Sequence, residues 1–143
     1  RVIEAASGVV LREVAHGDMV LSVAFSPDGK LLSTGADDGK ARVIEAASGA
    51  VLWKVAHGGP VWSVAFSPDG KLLSTGADDG KARVIEADSG VVLRQVAHGG
   101  AVCSVAFSPD GKLLATGAED GKARVIEAAS GAVLREVAHG GPV

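Results

Sequence analysis

From Val20 onward the apolar residues come in short runs, broken at near-constant intervals by Pro, Gly, Asp and Ser. Four runs, Val20–Ser26, Lys30–Ala36, Lys40–Ala46 and Ala50–Val55, meet at Ser26-Pro27-Asp28-Gly29, Asp38-Gly39 and Ser48-Gly49. Pro presets φ for a turn, while Asp-Gly supplies a side-chain acceptor and a residue that tolerates positive φ. Short runs with β-branched content between such breakers read as antiparallel strands. A helix of about ten or more residues does not fit between them. The pattern therefore predicts an all-β chain whose unit is a four-stranded meander.

The unit repeats. Arg1, Arg42, Arg83 and Arg124 are 41 residues apart, and so are His16, His57, His98 and His139. Of the 41 positions, 32 are the same in all three full copies and nine vary. A period of about 40–45 residues marks either a helical solenoid or the blades of a propeller, and the strand pattern selects blades. The expected divisions are a half blade at 1–16, full blades at 17–57, 58–98 and 99–139, and the start of another at 140–143. That is about three and a half blades and 14 strands. The chain is 21 residues short of four periods of 41. It reads as a contiguous part of a longer repeat protein, or as a piece completed by other chains.

Composition narrows the class. Aromatic residues are 3% of the chain, so Val, Leu, Ile and Ala must build the core. A net charge of -3 provides no overall positive field for nucleic acid or anionic lipid. No apolar run approaches the ~18 residues of a membrane span, and no leader is visible. Cys103 stands alone, which precludes an internal disulfide and favours a reducing, cytoplasmic setting.

The order His-Gly, V-x-S-V-A-F-S-P-D-G-K-L-L, T-G-A-D-D-G-K-A-R-V-I-E and S-G-x-V-L resembles the WD40 family of β-propellers along the entire chain. The family's Trp-Asp falls on Ile44-Glu45, Ile85-Glu86 and Ile126-Glu127, so this is a divergent form. In the family a buried hydrogen-bonded group joins a His, a Ser or Thr, an Asp and that Trp. The resemblance implies a structural clamp of His16, Thr34 and Asp38 in one blade. His57, Thr75 and Asp79 form the next, and His98, Thr116 and Asp120 the third. Without the indole the group is smaller, and direct His–Asp pairing is expected to hold it.

His, hydroxyl and Asp also suit a hydrolase. A catalytic site is normally assembled once, however, whereas a clamp is needed in every blade, so no catalytic residue is expected. Metal binding lacks ligand spacing: there is one His per repeat, one Cys in all, and no regular run of acidic ligands around Asp37-Asp38-Gly39. No Gly-rich loop leads into a helix to cradle a cofactor's phosphates. Lys30, Lys40 and Arg42 recur per blade and could form positive rings, but Asp28, Asp37, Asp38 and Glu45 recur beside them. Stacking aromatics for nucleic acid are scarce.

The variable positions are more telling. Five of the nine lie between the outermost strand of one blade and the first strand of the next: Arg12/Trp53/Arg94, Glu13/Lys54/Gln95, Asp18/Gly59/Gly100, Met19/Pro60/Ala101 and Leu21/Trp62/Cys103. Loops on a rigid scaffold are where partner contacts concentrate, although drift at exposed positions produces the same scatter. Met19, Leu21, Trp62 and Cys103 are the candidate binders of a protein or peptide, with Trp53 set apart at the rim. The resemblance implies a non-catalytic interaction scaffold. The alternative is a self-assembling repeat whose blades are completed by other copies or by the rest of a longer chain.

Overall fold

The computed structural model describes residues 2–3, 10–12 and 19–138. His16 and the segment 140–143 lie outside the described residues, as does most of the expected half blade at 1–16. Strands β1 (Val2–Ile3) and β2 (Val10–Arg12) pair with each other. Three four-stranded antiparallel sheets follow, each in chain order. The first holds β3 (Val20–Phe25), β4 (Leu31–Ala36), β5 (Lys40–Glu45) and β6 (Val51–Ala56). The second holds β7 (Val61–Phe66), β8 (Leu72–Ala77), β9 (Lys81–Glu86) and β10 (Val92–Ala97). The third holds β11 (Val102–Phe107), β12 (Leu113–Ala118), β13 (Lys122–Glu127) and β14 (Val133–Ala138).

Turn chemistry sets the strand ends. Ser26 Oγ donates to Asp28 Oδ1 at 2.7 Å, and the same carboxylate oxygen takes the Lys30 N–H at 2.9 Å. The Lys30 N–H thus belongs to the turn, and the second strand opens one residue later than the apolar run suggests. Ala50 likewise gives its N–H to Ser48 Oγ, so β6 opens at Val51. Gly39 holds a φ of 81°, the left-handed region open to glycine at little cost.

The apolar clusters sit between sheets. One joins Ala41 and Val43 of the first blade to Val61, Val64, Leu73 and Ile85 of the second. Its counterpart joins Ala82 and Val84 to Val102, Val105, Leu114 and Ile126. Small residues allow this approach: a Cβ at Gly35 would lie 2.7 Å from Val61 Cγ1, and one at Gly76 the same distance from Val102 Cγ1. Tight interlocking of this kind fixes each blade's position against its neighbour.

Candidate functional site

The repeated polar group has two parts. His57 follows β6, and its Nδ1 lies 3.1 Å from the Val55 carbonyl while Nε2 lies 2.8 Å from Thr75 Oγ1. A carbonyl only accepts, so Nδ1 carries the proton, and the Thr75 hydroxyl donates to the bare Nε2. His98 repeats this with Val96 and Thr116 at the same distances. Burial, aided for His57 by the charge of Arg83, pushes both rings below their ordinary pKa. They are therefore neutral at pH 7.

The second part centres on Asp79. Its Oδ2 takes the Arg83 Nη2–H at 2.7 Å and the Gly58 N–H at 3.1 Å, while Oδ1 takes the Lys81 N–H. Burial works to raise its pKa, but the bonds from Arg83, Gly58 and Lys81 outweigh it and hold the carboxyl below the usual range. Asp120 matches it with Arg124, Gly99 and Lys122, and is held at about 2, first by Arg124. Asp38 binds Arg42 at 2.6 Å and the Lys40 N–H. His16, which the resemblance places with Thr34 and Asp38, is outside the described residues.

The ring and the carboxylate are thus not each other's partners. Both nitrogens of His57 are taken, and Asp79 reaches the His-Gly segment through the next residue's backbone N–H. The arginines are the component that sequence reasoning missed. Arg42, Arg83 and Arg124 are buried and paired within their own blades, not displayed as rings of charge. Their signal was present in the fixed D-G-K-A-R spacing, which carries the chain round a tight turn and returns Arg to Asp. Ile44, Ile85 and Ile126 are wholly buried where the family has Trp. Thr75 is 0% exposed, so its hydroxyl, though well placed beside a base, meets neither solvent nor substrate.

The candidate partner residues share a different feature. Strand pairing skips a register step between Val20 and Ser22, Val61 and Ser63, and Val102 and Ser104. Leu21, Trp62 and Cys103 are the extra residues of these three β-bulges. A bulge re-aims a side chain out of the ladder. Trp62 is 37% exposed and donates from Nε1 to Asp78 Oδ1 at 3.2 Å. Met19 is 69% exposed, and its carbonyl holds the Asp37 N–H. Burial, with Glu119 and Asp78 adding negative charge, pushes the Cys103 thiol up. Asp78, which holds the Trp62 indole, also lies near enough for its charge to act on Cys103 of the next blade. Trp53 does not stand apart at the rim. It crosses to the second blade, where Nε1 donates to the Ala87 carbonyl at 2.7 Å and the ring lies over Gly90. Arg94, its counterpart, reaches Ala129 in the third blade in the same way.

The family "WD domain, G-beta repeat" matches residues 8–45, 50–86 and 90–127. The chain belongs to the WD40 family, and its three four-stranded sheets are propeller blades. Among solved structures, the crystal structure of the RRP9 WD40 repeats superposes with a TM-score of 0.87 at 24% identity, covering 94% of this chain and 43% of that one. The structure of U3-55K gives 0.88 at 25% identity, covering 99% and 45%. This chain spans less than half the length of either. A search of curated proteins finds no significant match. Among the described residues, no helix is long and apolar enough to cross a membrane.

Proposed function

We propose that this WD40 chain is a non-catalytic scaffold that binds a protein or peptide through Trp62, Met19, Leu21 and Cys103. The observation that carries this reading is the coincidence of sequence change with bulge geometry. One of the positions that differ in every copy (Leu21, Trp62, Cys103) is the residue of each first strand that the bulge takes out of the pairing register. A fixed scaffold with a varied bulge position in each blade suits recognition, and Trp is the type most enriched at interface hot spots. The clamp groups are absorbed in holding blades together, which supports a non-enzymatic role. The arginines are occupied by Asp, which favours a protein over a nucleic acid partner. The lone, unpaired Cys103 suits a reducing compartment such as the cytoplasm.

Photo-crosslinking tests this. A benzophenone amino acid at position 62, and another at 134 on an outer strand, would be exposed to a lysate of the source organism. Discrete adducts at 62 and none at 134 support the assignment. Equal labelling at both positions overturns it.

A further inference from the structure

The interface between the first and second blades and that between the second and third are filled differently. At the first, the Trp53 indole lies over Gly90, packs onto the apolar cluster and donates from Nε1 to the Ala87 carbonyl at 2.7 Å. At the second, Arg94 stands in its place. The Arg94 stem lies beside Gly131, but Nε turns to the Ala129 carbonyl at 2.9 Å and Nη1 to the Leu93 carbonyl at 2.7 Å. Ala128, the counterpart of Ala87, receives no bond from that side chain.

A cavity of about 400 Å³ opens at this second interface, lined by Leu72, Gly111, Lys112, Glu127, Ala128 and Ala129. Its size is that of a small-molecule site. Its charge also departs from the first interface. Arg94 replaces Trp53 and Ala129 replaces Asp88, so two copy-to-copy differences fall at one place. Lys112 and Arg94 stand there against the single carboxylate of Glu127, a net positive setting. The same four positions at the first interface hold Lys71, Trp53, Glu86 and Asp88, a net negative one.

We propose that the cavity between the second and third blades binds a small planar aromatic carboxylate of the indole type. The ligand's ring takes the part that the Trp53 indole plays at the first interface, with Leu72 and Ala128 as its apolar contacts. Its N–H donates to the Ala128 carbonyl, as Trp53 donates to Ala87. Its carboxylate meets Lys112 and Arg94, and hydrogen bonds between ionised groups are the stronger kind. Gly111 and Lys112 follow the end of β11, whereas Cys103 is near its start. The site is thus at the other end of the strands from the bulge residues, and it stands or falls apart from the proposed scaffold function.

Indole-3-acetate is the probe, titrated with the 143-residue chain and followed by ligand-observed NMR. Saturable binding is expected. The N-methyl analogue, which has no N–H to give Ala128, should bind about tenfold more weakly. Arg94→Trp rebuilds the first interface at the second, so it should abolish binding without lowering the melting temperature. Ala129→Asp, at an exposed position, restores the other difference. It should weaken indole-3-acetate severalfold and leave the binding of neutral 3-methylindole unchanged, and it decides the matter if Arg94→Trp fails to fold. Lack of saturation, or binding that survives Arg94→Trp in a folded chain, overturns the proposal. So does equal binding of the N-methyl analogue, or indifference of indole-3-acetate to Ala129→Asp, since the cavity would then be an unselective apolar gap.

Discussion

Asp79 and Arg83 face each other across the turn at Gly80 as a 2.7 Å ion pair, with side chains only 12% and 8% exposed. Removing one member of a buried pair strands the other, whereas replacing both with apolar groups is often neutral. Asp79→Ala should therefore destabilise the chain by about 3 kcal/mol in denaturant melts, because Arg83 and the Gly58 N–H lose their acceptor together. Asp79→Ala combined with Arg83→Met should recover much of that loss. A single variant as stable as the parent would show the pair to be incidental.

Stability should depend on pH through His57 and His98. Their folded pKa lies below the ordinary 6.5, so the unfolded chain binds protons more readily. Their contribution is complete above pH 6.5 and is lost as pH falls below it, since protonating Nε2 removes the acceptor for Thr75 or Thr116. Asp38, Asp79 and Asp120 are shifted below 3.8, so their contribution is lost only at more acid pH. Melts between pH 7.5 and 5 should show a falling midpoint, much reduced in a His57→Gln, His98→Gln variant. A flat profile would contradict the neutral, buried rings.

One varied position has a structural explanation. Arg42 pairs in register with Lys54, Arg83 with Gln95 and Arg124 with Glu136. In the third blade, Arg124 Nε donates to Glu136 Oε2 at 3.0 Å. Like charges directly opposite are unfavourable and opposite charges favourable, by about 0.2–1 kcal/mol. Lys54→Glu should raise the melting temperature slightly at low salt, and the gain should shrink at high salt.

Strand number and type were legible because Pro, Gly, Asp and Ser punctuate the chain at turn spacing. The one-residue shifts at Lys30 and Ala50 were not, because each depends on a turn side chain capturing a backbone N–H. The clamp residues were legible only through resemblance, and their wiring was not. Whether His57 meets Thr75 or Asp79 depends on how the His-Gly segment crosses the Asp-Gly turn. The bulges were invisible because one extra residue in a strand leaves no mark on an apolar run. Trp53 was misplaced for a related reason: the outermost strand of a lone blade is a rim, but in a stack its side chains reach the next blade.

The two tryptophans differ in role: Trp53 ties neighbouring blades together, whereas the proposed function leaves Trp62 to bind a partner. Thermal melts of Trp53→Ala and Trp62→Ala, side by side with the parent chain, test this division most directly. Trp53→Ala removes a large packed ring and the bond to Ala87, and should cost about 2 kcal/mol or more. Trp62→Ala alters an exposed bulge and should stay within about 0.5 kcal/mol of the parent. A large loss at Trp62 with Trp53→Ala near the parent would assign Trp62 to packing and contradict the account.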